Sequence, residues 1–134
     1  MFAIDTNVLV RLLVDDPSDP AQCMAARKFV AGQQQVMIPE SVLLECAWVL
    51  QRLFGVTRPK LAVVLEELMG NSRYRFERAA IASAAINLFV ASSLDFGDCL
   101  IHAACDAAAA ELVTFDKPLS KVAGVTLLVL KGTP

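Results

Sequence analysis

An α/β fold built on a parallel sheet is what this sequence predicts, and three observations carry that expectation. Short runs of β-branched and aliphatic residues alternate with longer helical stretches along the whole chain. The strand-like runs are apolar on both faces, as strands covered by helices on either side must be. The 134 residues, 56% of them apolar, amount to one domain with enough chain to bury a core. A single domain over 1–134 is therefore expected.

Phe2-Ala3-Ile4 opens the chain as a strand, and Thr6 to Val14 follows as a helix. Pro20 starts a second helix, with Asp19 as its N-cap and Gly32 just past its end. Val36-Met37-Ile38 is the next strand, and Glu40 to Phe54 is a strongly apolar helix stopped by Gly55. Thr57 is placed to cap a helix from Arg58 to about Met69. Tyr74 to Glu77 reads as a strand, followed by a helix to about Ser92 and another from Phe96 to Glu111. Leu112 to Phe115 is a strand, and a short turn or helix leads to a last strand from Val125 to Leu130.

Composition removes several function classes. The formal net charge is −2 and the pI about 5.3, so no polycationic footprint exists for coating DNA non-specifically. The mean hydropathy of +0.54 excludes a disordered tail and suggests apolar surface covered by a second copy or another protein. No membrane span is expected: the longest uncharged stretch, Ala79 to Leu94, is interrupted by Ser83, Asn87, Ser92 and Ser93, and spanning takes roughly 20 residues. Asp5 falls where a secretory leader would have to be apolar. Cys23, Cys46, Cys99 and Cys105 form no CxxC pair and read as reduced core residues. A soluble cytoplasmic protein is the expectation.

In such a sheet, ligands collect at the carboxyl ends of the strands, and two of the strands run into an aspartate: Asp5 after Ile4, Asp116 after Phe115. Each also has a local explanation, Asp5 as a helix N-cap and Asp116 as the start of a turn. Glu45 lies among Val42, Leu43, Leu44, Cys46, Ala47, Trp48 and Val49, with no Lys or Arg one turn away. A carboxylate desolvated in that setting needs a partner from elsewhere. Asp95 is placed to cap the helix at Phe96, and Asp98 sits in its first turn, where the helix dipole favours it. If Asp5, Glu45, Asp98 and Asp116 converge, they repel one another unless a hard divalent cation holds them. Mg²⁺ or Mn²⁺ with oxygen ligands suits phosphodiester hydrolysis.

Four segments, in order, carry a resemblance: Ile4-Asp5-Thr6-Asn7-Val8-Leu9, Glu45-Cys46-Ala47-Trp48-Val49-Leu50, Asp95-Phe96-Gly97-Asp98-Cys99-Leu100-Ile101 and Thr114-Phe115-Asp116-Lys117. Together they resemble the PIN-domain VapC family of bacterial toxin ribonucleases, over essentially the whole chain. The resemblance implies a three-layer α/β/α sandwich around a central parallel sheet and an acidic pocket for Mg²⁺ or Mn²⁺. It also implies endonucleolytic cleavage of RNA and inhibition by a cognate small antitoxin. Carried over by position, Asp5, Glu45, Asp98 and Asp116 are the catalytic acids. Asp5 and Asp98 would be the main metal ligands, Asp116 would complete the site, and Glu45 would orient or activate water. Asn7 and Thr114 match polar positions able to hydrogen-bond the carboxylates. Cys99 stands where the family more usually has alanine.

Further candidates have structural explanations beside functional ones. His102 shares a helical face with Asp98 and is either a base or ligand, or a satisfied core histidine. Trp48 and Arg52 could stack on and clamp RNA, or be a buried Trp with a snorkelling Arg. Arg73, Arg75 and Arg78 form a small basic cluster, either an RNA contact or a solvated edge. Two alternatives to a ribonuclease stand: a PIN-fold module that binds RNA or protein without cleaving, and a phosphoryl-transfer domain of haloacid-dehalogenase or response-regulator type. The haloacid dehalogenases want Asp-x-Asp, and here the second acid is Asn7. A response regulator wants paired acids at the first strand and a phospho-acceptor Asp after a middle strand, whereas Val36 to Ile38 runs into Pro39. A homodimer is expected from the apolar excess and the resemblance.

Overall fold

The computed structural model describes residues 1–130. The α/β class is as expected: five parallel-paired strands alternate with seven helices among the described residues. The chain divides into two compact units, Met1–Ala79 and the part from Ala80 onward.

The first unit holds β1 (Phe2–Ala3), α1 (Thr6–Leu13), α2 (Pro20–Ala31), β2 (Val36–Ile38), α3 (Glu40–Arg52), α4 (Arg58–Gly70) and β3 (Tyr74–Phe76). Its strands form a parallel sheet in the order β1-β2-β3, with Phe2 opposite Val36 and Val36 opposite Tyr74. β2 is the central strand, and its Val36 and Ile38 are fully buried. Helix α1 packs on both α2 and α3, and α3 on α4. Their facing sides supply the core residues Leu9, Val10, Leu43, Leu50, Leu61 and Leu65. Asp19 caps α2 as expected, accepting from the Gln22 amide at 3.1 Å, with Pro20 in the first turn.

The second unit holds α5 (Ala79–Ala91, which begins at the boundary), α6 (Phe96–Ala107), β4 (Leu112–Thr114), α7 (Lys117–Ser120) and β5 (Val125–Leu127). β4 and β5 pair in parallel, Leu112 opposite Val125, and α7 packs on both. Its core is built on Ile81, Ala85, Ile86 and Phe89, and the ring of Phe89 meets Phe96 edge-on at 5.7 Å.

Several local expectations are corrected. The strands are not buried on both faces: Phe2 and Val113 are exposed, and of the five only β2 has both its outer residues in the core. Thr57 stands at the start of α4 but makes no side-chain cap bond, nor does Asp95 at the start of α6. The last strand stops at Leu127 rather than Leu130. Helix α6 ends at Ala107, not Glu111, because the chain turns there to enter β4. The amides of Ala109 and Ala110 donate back to the carbonyls of Asp106 and Cys105, and Ala109 takes a left-handed φ of 54°. This is a Schellman-type ending with alanine where glycine is usual.

The cysteines are free thiols, as expected, with Cys23, Cys46 and Cys99 buried and Cys105 partly so. Burial pushes the Cys46 thiol up to about 12, so it stays protonated and inert near neutral pH. No helix among the described residues is long and apolar enough to cross a membrane.

Ala109 supplies a direct test of this packing, since an L side chain is disfavoured at its backbone angles. Ala109→Gly should raise stability by about 0.5–1 kcal/mol, the relief at a left-handed cap less the added freedom of the unfolded chain. Urea denaturation of the two proteins measures it.

Candidate functional site

In the first unit, Asp5 sits between the end of β1 and the start of α1. Its backbone is extended, and its Oδ1 accepts from the Val8 amide at 3.0 Å. The capping explanation is therefore correct, and it occupies one carboxylate oxygen. The exposed carboxylate opens on a pocket of about 340 Å³ lined also by Asn7, Arg11, Gln22, Ala26 and Phe29. Arg11 is fixed in that pocket, donating through Nε to Gln22 Oε1 at 3.1 Å and through Nη1 to Asp16 Oδ2 at 2.7 Å. Hydrogen bonds from Ser18, and the Arg11 guanidinium, hold the Asp16 carboxyl below its ordinary value. Arg11 and Gln22 were not singled out from the sequence. The available signal was that Arg11 lies one helical turn beyond Asn7.

Glu45 lies on α3 and is exposed. The desolvation expected of it is corrected, and helical periodicity explains why. Its apolar sequence neighbours Leu43, Cys46, Ala47 and Leu50 face the core, while Leu44, Glu45 and Trp48 stand on the solvent side. The buried-Trp expectation is corrected with it: Trp48 is 55% exposed, and the Arg52 guanidinium lies 6.0 Å from the centroid of its ring.

The basic cluster separates into roles. Arg73 donates to the carbonyls of Val30, Ala31 and Gln33 at the end of α2, satisfying groups the helix leaves open. Arg78 grips Glu40 with two bonds, at 3.0 and 2.6 Å. Arg75 is exposed.

In the second unit, Asp98 is in the first turn of α6 and half-buried. Its carboxyl is raised above the ordinary aspartate value, first by desolvation and then by repulsion from Asp95 and Asp116. These three acids thus share one electrostatic neighbourhood. Asp98 enters none of the ion pairs among the described residues. Asp116 caps α7, its Oδ2 accepting from the Leu119 amide at 2.8 Å. The hydroxyl of Thr114 accepts from the Asp116 amide at 3.0 Å, so it anchors that residue's backbone rather than its carboxylate. His102 is a satisfied histidine: its Nε2 donates to the Ala123 carbonyl at 2.9 Å.

The groups that repel Asp98 are themselves carboxylates, the oxygen chemistry a hard divalent ion takes. Among the described residues, no group of three or more His, Cys, Asp and Glu side chains is arranged to hold a metal ion.

Comparison with known proteins assigns the family. The PIN domain family model matches residues 2–125. The chain belongs to the PIN domain family. Members of this family are in general nucleases and typically use divalent metals. The chain is also similar to a solved structure, a toxin–antitoxin complex from Klebsiella pneumoniae, over 94% of this chain and 96% of that chain, at 20% identity and a TM-score of 0.36. No curated protein matches the chain significantly.

The raised carboxyl of Asp98 has a consequence for stability. A group with a higher pKa in the folded state binds protons more readily there than in the unfolded chain. Its stabilisation is complete below the unfolded aspartate value of about 3.9 and is lost as pH rises through the raised folded value. At pH 7 the charge on Asp98 therefore works against the fold. In EDTA, Asp98→Asn should melt roughly 1–4 °C above the unmodified protein at pH 7, and the gap should close toward pH 4. Melting curves at the two pH values check it; a lower melting point for Asp98→Asn at pH 7 would show that its charge serves mainly the helix start.

Proposed function

We propose that this PIN-domain chain is a divalent-metal-dependent endoribonuclease and the toxin of a toxin–antitoxin pair. The observation that carries the proposal is the ordered set Asp5, Glu45, Asp98 and Asp116 in a chain matched by the PIN family over residues 2–125. In this reading Asp5, Asp98 and Asp116 hold Mg²⁺ or Mn²⁺. The ion, when bound, supplies Lewis acidity toward water and toward a phosphodiester oxygen.

The chain's own residues do the rest. The Val8 amide fixes Asp5 through Oδ1 and leaves Oδ2 for a ligand, and the Leu119 amide does the same for Asp116 through Oδ2, leaving Oδ1. Asp98 brings a charge that its neighbours resist, which favours uptake of a cation. Glu45, exposed to solvent, orients the attacking water and accepts its proton. The bond that breaks is P–O, and water supplies the new oxygen on phosphorus.

A cognate antitoxin and a second copy of the chain are the proposed protein partners, in the cytoplasm. Large apolar side chains left exposed in each unit, Met24 in the first and Phe115 in the second, support protein contacts beyond the chain itself. A symmetric dimer is the default for self-association.

Cleavage of a total RNA pool with Mn²⁺ or Mg²⁺, against an EDTA control, tests the reaction. Asp5→Ala and Asp98→Asn should each lose roughly 10²-fold or more in rate, and Glu45→Gln about as much. Activity that persists without metal would overturn the mechanism. RNA binding without cleavage under any metal would instead favour the non-catalytic PIN module. Expression alone should arrest growth, and co-expression of the gene product encoded immediately upstream should relieve it.

A further inference from the structure

Helix α3 turns two opposite faces outward and inward. Leu43, Cys46, Ala47 and Leu50 are buried, whereas Ser41, Glu45, Trp48 and Arg52 are all exposed. At 3.6 residues per turn these last four fall within an arc of about 60°. Trp48 is thus a solitary large aromatic on its stripe, with a hydroxyl and a carboxylate toward one end of the helix and a guanidinium toward the other. Leu44 borders it.

We propose that Trp48 and Arg52 form a stacking platform for one base of single-stranded RNA, next to Glu45; this rests on the ribonuclease reading above and names how that site takes its substrate. Three observations carry it. Trp48 is 55% exposed, where an apolar ring gains nothing from the core. Arg52 enters none of the ion pairs among the described residues, so the charge lying 6.0 Å from the Trp48 centroid is free for a phosphate. Glu45 lies one turn from Trp48, so a base held there puts its neighbouring phosphodiester within reach of that carboxylate.

The surroundings favour nucleic acid over protein. An anchor at a protein interface is ringed by contacts that exclude water. Trp48 shares its stripe with Ser41, Glu45 and Arg52, the exposed Leu44 lying to one side and Leu53 and Phe54 beyond the helix end. A flat ring beside a guanidinium that enters no ion pair among the described residues matches a base and its backbone phosphate. The base adds a layer on the ring face that Arg52 leaves open.

Trp48 is the only tryptophan in the sequence, so intrinsic fluorescence reports on the platform directly. The intact chain is titrated with a short single-stranded RNA in EDTA, where no metal-dependent cleavage intervenes. Trp48 emission should be quenched on binding. Read by the fluorescence anisotropy of an end-labelled RNA, which does not depend on the tryptophan, Trp48→Ala should weaken binding about 5- to 150-fold, the loss expected for one base–aromatic stack, and Trp48→Phe should recover part of it. Arg52→Gln should lower the slope of log affinity against log salt by about 0.7, one single-strand phosphate contact. With Mn²⁺, Trp48→Ala should raise KM for cleavage and leave kcat unchanged, and circular dichroism should show each variant folded.

RNA cleavage by the intact protein with no change in Trp48 emission would overturn the platform and leave the ribonuclease reading standing. Quenching by RNA in a protein that cleaves nothing would uphold the platform and overturn the ribonuclease reading. Emission that shifts with protein concentration and ignores RNA would assign this face to a second copy of the chain, and the platform would fall.

Discussion

A helix that begins at the end of a strand leaves its first amide groups without partners, and this chain answers that demand with carboxylates. Asp5 caps α1, Asp19 caps α2 and Asp116 caps α7. The first turn of α3, which follows Pro39, is served from further off: Glu77 accepts from the Glu40 amide at 3.0 Å. At Asp5 and Asp116 the cap and the proposed chemistry do not compete, because a carboxylate has two oxygens and the cap takes one. The hydrogen bond fixes the side chain's orientation, so the remaining oxygen is held in a set direction before any ligand arrives. Preorganised ligands are what a metal site on rigid elements needs.

Asp98 follows the other branch of the same rule. It lies inside the first turn of α6, where the dipole favours a negative charge but no cap bond is made. Asp95, in the cap position, leaves its own side chain unused for capping. Two acids close together, with a third in Asp116, then raise the carboxyl that is least solvated, and that is Asp98. Asp5 and Asp116 are held by backbone amides; of Asp95 and Asp98, which are not, the half-buried Asp98 is the one whose charge the fold resists.

Much of the fold was legible because local chemistry determined it. Pro20 and Gly32 bracket α2 where they were expected to, and Val36–Ile38 is a strand at the residues its apolar run marks, whereas α3 ends at Arg52 with Leu53 as its C-cap, short of Phe54 and Gly55. The misses arise where a residue type suits a role that the neighbouring geometry does not call for. Thr57 and Asp95 are good capping residues that make no cap bond. The alanines from Ala107 to Ala110 favour helix, yet α6 ends at Ala107 and the entry into β4 puts Ala109 in a left-handed conformation that propensity alone does not reveal. Strand exposure was misread for a related reason: two- and three-residue strands bury little, so an apolar run such as Leu112-Val113 still shows Val113 to solvent.

At the candidate site the same distinction decides what could be read. The identity of the acids was legible, because strand ends and helix starts are fixed by short-range pattern. Their surroundings were not, because neighbours in sequence are not neighbours on a helix. Glu45 is embedded in apolar sequence, yet Leu43, Cys46, Ala47 and Leu50 turn to the core and leave it facing water with Trp48 and Arg52. For a residue proposed to work on a water molecule, that side is the useful one. A buried carboxylate would need a cation merely to be tolerated, whereas an exposed one is free to exchange water and protons with solvent. The amphipathic period of α3 therefore does two things at once. It seats the helix on the core through one face, and it gathers on the other the acid, the aromatic ring and the cation of the proposed RNA site.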